Sequence, residues 1–157
     1  MKLVIQQKVF SWGDKFTVMD EYGNVRYNVQ GEAFSIGNKL HIYDTAQNEV
    51  AFIRQKVFSF KPRFYVFQGE NQVAEIVKEF TFFHQKYSIS GLNWDTEGSF
   101  SAHDYSISEN GSPIVSIHKK WFSWGDCYEL DVSESANEII TLAVVLAIDC
   151  VMAADDN

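Results

Sequence analysis

Near its C-terminus the chain carries a run that few folds can accommodate: Ile139-Ile140-Thr141-Leu142-Ala143-Val144-Val145-Leu146-Ala147-Ile148. Asp149 interrupts it, Cys150-Val151-Met152-Ala153-Ala154 follow, and Asp155-Asp156-Asn157 end it. The pattern predicts a helix over about residues 136–153 that is apolar on nearly all sides. Such a helix is either a membrane span or a rod buried in protein. A span needs about 20 apolar residues. Here ten precede Asp149, and a carboxylate at mid-membrane costs about 3 kcal/mol. No Lys or Arg follows Lys120, so no basic flank anchors either end. Burial in protein is the expectation, and no transmembrane span. A helix of this length extends about 27 Å, and a β-barrel of suitable size can enclose it. Ala136, Ala143, Ala147, Ala153 and Ala154 would let the wall approach closely. Ser135-Ala136-Asn137-Glu138 reads as a capping box at the start. Asp149, inside such a barrel, must be paired, protonated or near a mouth. Pairing with a Lys or a backbone amide is expected.

The material for the wall is an internal repeat. Lys8-Val9-Phe10-Ser11-Trp12-Gly13-Asp14-Lys15-Phe16 has a near copy at Lys120-Trp121-Phe122-Ser123-Trp124-Gly125-Asp126-Cys127-Tyr128. A third copy is Lys56-Val57-Phe58-Ser59-Phe60-Lys61-Pro62-Arg63-Phe64, and a degenerate fourth runs from Lys78 to Tyr87. Between the copies lie matched alternating runs: Phe16–Met19 with Val25–Val29, Leu40–Tyr43 with Val50–Ile53, Phe64–Phe67 with Val73–Ile76, Tyr105–Ser108 with Ile114–Ile117. Alternation around Gly, Asn and Asp turns is a hairpin signal. Each strand then presents one face to a common interior. Ten to twelve short strands are expected, and closure into a barrel would hide their edges. The aromatic content of 15% suits strands and a large core. The 157 residues fit one domain, 1–157, with a pseudo-repeat of about 1–75 and 76–132.

Charge narrows the partners. The net charge is -8, and the eight acids after Lys120 account for it. An acidic chain is poorly suited to broad phosphate-backbone binding, so nucleic acid is not expected. Cys127 and Cys150 read as two buried free thiols in a reducing cytoplasm. Met1-Lys2-Leu3-Val4-Ile5 is too short for a signal peptide. A cytoplasmic protein is expected, with peripheral attachment to a membrane left open.

Catalytic signatures do not appear. There is no nucleophile elbow, P-loop or dinucleotide fingerprint, no paired metal-ligand spacing, and no cofactor is implied. Ser11, Ser59 and Ser123 recur within the repeat, which marks them as structural. His41 and His118 alternate with apolar neighbours and should point outward or pair locally. Asp95, Glu97, His103 and Asp104 cluster in sequence, and turn chemistry explains them as well as cation binding does. The binding candidate is a basic hairpin corner, Arg54, Lys56, Lys61 and Arg63, with Lys78, Lys86, Lys119 and Lys120 as further rim lysines. Such a rim could attract an anionic lipid headgroup or an acidic protein partner.

The Lys-x-Phe-Ser-Trp/Phe element, Leu40-His41-Ile42-Tyr43-Asp44, the Trp94–Tyr105 stretch and the apolar C-terminal helix together resemble the LURP-one-related (YxjI-like) family. That family belongs with the tubby C-terminal-like and phospholipid-scramblase-like folds, and the resemblance spans about Lys8 to Ala154. It implies a mainly β fold: a closed antiparallel barrel of about twelve strands enclosing a central hydrophobic C-terminal helix. It implies little about activity. Tubby domains are phosphoinositide-binding modules, plant LURP-one-related proteins are associated with defence, and scramblase-like members with lipid movement and calcium. No residue carries over from the tubby lipid site, and no scramblase-type calcium segment is recognisable. The expectation is a non-catalytic binding or scaffold module. A membrane-active scramblase-like protein and a small hydrolase are the alternatives.

Overall fold

A computed structural model describes residues 1–6, 15–32, 36–79, 86–122 and 125–155, with backbone alone at 121, 122, 125 and 126. The alternating runs become strands β1 (Lys2–Gln6), β2 (Lys15–Asp20), β3 (Val25–Gly31), β4 (Lys39–Asp44), β5 (Glu49–Gln55) and β6 (Arg63–Gln68). There follow β7 (Asn71–Glu79), β8 (Lys86–Ser90), β9 (Trp94–Ser99), β10 (Asp104–Glu109), β11 (Ser112–Phe122), β12 (Gly125–Val132) and the helix α1 (Glu138–Asp155). The four predicted hairpins are β2–β3, β4–β5, β6–β7 and β10–β11, each with an antiparallel register.

The twelve strands form one sheet in the order β8-β7-β6-β5-β4-β3-β2-β1-β12-β11-β10-β9. It curls until β8 and β9 lie side by side, giving a nearly closed barrel. Among the described residues no backbone ladder joins those two strands; Thr96 instead donates its hydroxyl to the Tyr87 carbonyl, 3.3 Å away. The inward positions are apolar and alternate as predicted, for example Val29 and Gly31 on β3, Leu40 and Ile42 on β4, Ile53 on β5, Phe64 and Val66 on β6.

Helix α1 threads the interior. Thr141 to Ile148, Cys150 and Val151 are all buried, and the helix packs on β5, β6 and β7. Its start differs from the sequence reading by two residues. Asn137, not Ser135, is the cap: its Oδ1 accepts from the Ile140 amide at 3.1 Å. Glu138 does not reach back to Ser135. Its Oε1 accepts from the Tyr27 hydroxyl at 2.7 Å and from Arg26 at 3.2 Å, because β3 passes within reach of the helix N-terminus. At the other end Asp155 pairs with Lys78 on β7.

Antiparallel order sends every connection to one of two rims. The connections from β1 to β2, β5 to β6, β7 to β8 and β11 to β12 share a rim with the C-terminal end of α1. These are the four positions where the repeat occurs. The copy at 56–64 is described throughout; residues 8–14, 80–85 and 123–124 of the other three lie outside the described residues.

Candidate functional site

The four basic residues named from sequence meet at the neck of the β5–β6 hairpin, where the Lys56 amide donates to the Arg63 carbonyl at 2.9 Å. They are not equivalent. Arg63 pairs with Glu75 on β7, and Lys61 lies 3.6 Å from Glu79. Arg54 and Lys56 are exposed. The Arg54 guanidinium lies 5.1 Å from the centroid of Phe67 and 5.8 Å from that of Tyr65, a cation–π arrangement that orients it along the outer wall. Two carboxylates thus offset half of the corner's four positive charges. Of the other rim lysines, Lys78 is the one tied to Asp155, while Lys119 and Lys120 are exposed.

Above that neck lies a feature the sequence reading passed over. Phe58 and Phe60 are 102% and 98% exposed, and Ile36 is 82% exposed. Val57 lies against this neighbouring segment: a Cβ added to Gly37 would meet the Val57 side chain at 3.1 Å. Phe58 has φ 60°, a left-handed backbone that a bulky L residue holds at a cost of about 1–3 kcal/mol. The signal present in the sequence is two Phe flanking Ser59 at a hairpin join.

The interior holds a second group of polar residues. Asp149, 12% exposed, accepts a hydrogen bond from the Tyr128 hydroxyl and lies 3.3 Å from His103 Nε2. The partner is therefore a tyrosine and a histidine rather than the expected Lys or amide, because β12 and the 100–103 turn flank this part of the helix. His103 reaches it through φ 50° at the end of that turn, which aims its ring inward against Tyr128 at 4.4 Å. Burial, and then the Asp149 charge, raise the pKa values of Tyr105, Tyr128 and Cys150 well above their ordinary values. These groups stay protonated, which suits Tyr128 as a permanent donor and leaves Cys150 a poor nucleophile. Cys127 and Cys150 are both buried.

The sequence cluster Asp95, Glu97, His103 and Asp104 is dispersed. His103 points inward, Asp95 and Glu97 are exposed, and Asp104 lies 3.3 Å from His118. No group of three or more potential metal ligands occurs among the described residues. A shallow groove of about 550 Å³ on the outer wall is lined, among the described residues, by Lys15, Phe16, Thr17, Asn28, Gln30 and Tyr43, and none of its described lining residues is a carboxylate.

His41 does pair locally. On the outer face of β4 its Nε2 lies 2.6 Å from Glu32 and its Nδ1 meets Glu49, while the ring stacks on Phe52 at 4.8 Å. Burial alone would lower its pKa; hydrogen bonds to Glu49 and Glu32 outweigh that and raise it above 6.5. A raised folded-state pKa stabilises the fold below the unfolded value, and the contribution is lost as pH rises through the folded one. The urea midpoint is therefore expected to fall as pH climbs from 6.5. In His41→Asn that part of the slope should vanish. Parallel profiles for the two proteins would refute the clamp.

A nearly closed twelve-stranded barrel around a buried C-terminal helix defines a tubby-like barrel. The chain belongs to the LURP-one-related family, whose sequence model matches residues 1–149. It is 32% identical over 157 residues to the protein YxjI of Bacillus subtilis (strain 168), covering 100% of this chain and 97% of that one. An Arabidopsis thaliana protein of known X-ray structure superposes with a TM-score of 0.64 over 95% of this chain and 90% of that chain. At 16% identity that likeness speaks for the fold alone.

Proposed function

We propose that this protein is a non-catalytic binding module that recognises an anionic lipid headgroup through the corner Arg54, Lys56, Lys61 and Arg63. The observation that carries the reading is the exposed pair Arg54 and Lys56 at the neck of a hairpin tipped with exposed aromatics. Family membership and the barrel fold support a module that binds rather than catalyses. The scramblase-like alternative needs α1 in the bilayer, yet its ten central residues are buried in the barrel, and no helix among the described residues is long and apolar enough to cross a membrane. The hydrolase alternative needs two carboxylates with displaced pKa values in one pocket. Among the described residues, Glu32 and Glu49 are brought together by His41 on the open wall, and the Glu32 pKa is lowered, mainly by its hydrogen bond with His41.

Each cation near an anionic surface contributes about 1 kcal/mol. Arg54→Ala with Lys56→Ala should therefore weaken partitioning onto phosphoinositide-containing liposomes by about 2 kcal/mol, roughly 30-fold. Lys61→Ala with Arg63→Ala should cost less, because Glu79 and Glu75 already offset those charges. Flotation with and without the phosphoinositide measures both. Native protein that ignores headgroup charge would dismiss the lipid reading and leave a protein partner as the occupant of the corner.

A further inference from the structure

We infer that Ile36, Val57, Phe58 and Phe60 form an apolar wedge that enters the interfacial region of an anionic bilayer, with Arg54 and Lys56 as its collar. This rests on the lipid reading above and extends it from headgroup contact to insertion.

Four observations meet at this tip. First, both phenylalanines are essentially fully in water, at 102% and 98% exposure. A single exposed apolar residue needs no explanation, but a contiguous group of large ones on one tip marks an interaction surface. Second, the group is convex. The β5–β6 neck closes with the hydrogen bond from the Lys56 amide to the Arg63 carbonyl, and residues 57–62 extend beyond it. Large convex apolar tips suit a soft, deformable phase; a folded protein partner would need a matching pocket. Third, Phe58 holds a left-handed backbone that glycine or asparagine would adopt more easily. Strain of this kind persists where function requires the side chain. Fourth, the charge is arranged in a layer. Lys56 lies on the barrel side of the apolar tip, at the level where headgroup phosphates would stand if the phenyl rings sat among the acyl-chain ends, and Arg54 follows two residues further down the outer wall, its guanidinium against Tyr65 and Phe67. The Ile36 segment is fastened to the same neck: Gln55 donates its amide to the Asn38 carbonyl at 2.9 Å, and its side-chain oxygen accepts from the Asn38 amide at 3.2 Å. The wedge is thereby two-stepped rather than a single loop.

The test uses the full chain with vesicles of phosphatidylcholine alone and mixed with phosphatidylserine or a phosphoinositide. Phe58→Ser with Phe60→Ser should float with anionic vesicles about tenfold less than native, or worse, since two phenyl groups lose their burial. The residues are exposed, so the melting temperature should hold. Phe58→Gly, which removes the ring and the strain together, should keep or raise the melting temperature and still weaken flotation. Ser59→Cys offers a second readout: Cys127 and Cys150 are buried, so an environment-sensitive fluorophore will attach at 59 alone. Its emission should shift to the blue on anionic vesicles. Equal flotation of the double variant with an unshifted label would overturn the wedge while leaving the headgroup reading intact. Native protein that floats with none of the vesicles would bring down that reading and the wedge with it.

Discussion

Deletion of residues 136–157 is expected to leave a chain with no cooperative melting transition and no near-UV circular dichroism. Leu142, Val144, Val145, Leu146, Ile148 and Val151 are each at most 1% exposed. Burying a side chain of this kind contributes about 2 kcal/mol, so the six together supply on the order of 12 kcal/mol. That is as large as the whole stability of a typical domain, about 5–15 kcal/mol. The loss is larger still, because the deletion also exposes the inward faces of β5, β6 and β7, on which the helix packs. Ile53, Phe64, Val66 and Ile76 would then face water. A truncated chain that stayed monomeric and melted cooperatively with an unchanged near-UV signal would mean that the sheet does not depend on its central helix.

The second large effect concerns Asp149. Tyr128→Phe should lower stability by about 2–3 kcal/mol, read as a shift in the urea midpoint. The substitution keeps the ring that stacks on His103 and removes only the hydroxyl that donates to the carboxylate. A carboxylate 12% exposed on a helix inside a barrel cannot replace that donor with bulk water at little cost. Tyr105→Phe provides the contrast. Its hydroxyl is buried in the same interior with no hydrogen-bond partner among the described residues, so its removal should cost less than about 1 kcal/mol. Equal losses in the two variants would show that the Asp149–Tyr128 bond is not what secures the helix.

The architecture was legible because its determinants are local. Alternation along Leu40–Tyr43 and Val50–Ile53 depends only on which residues neighbour one another in the chain, and period two means a strand whatever lies across from it. The apolar run at 139–148 was legible for a similar reason. A helix with no polar side has to be enclosed, and Asp149 with acidic flanks argues against lipid as the enclosure. The repeat located the hairpin joins. The helix start was misplaced by two residues because Ser135 and Asn137 are both competent caps. The choice between them was made by Tyr27 and Arg26, more than 100 residues away.

The candidate site was legible only as a composition. Lys56, Lys61 and Arg63 are close in sequence and were bound to be close in space, as was Arg54 across one hairpin. Their charge state as a surface was not readable, because Glu75 and Glu79 reach them from β7 through a strand register that no local pattern specifies. Phe58 and Phe60 are in sequence only members of the repeat, and their place beyond the Lys56–Arg63 hydrogen bond is what puts them in solvent.

From the chain alone came the strand period, the turns, the basic corner and a helix too short and too interrupted to span a bilayer. Tertiary structure decided which polar groups meet: His103 with Asp149 instead of with its acidic neighbours, Glu138 with Tyr27, Arg63 with Glu75. Backbone periodicity is set by covalent neighbours, whereas the partner of a side chain is set by sheet register and by which strand lies beside it, and those are properties of the closed barrel as a whole.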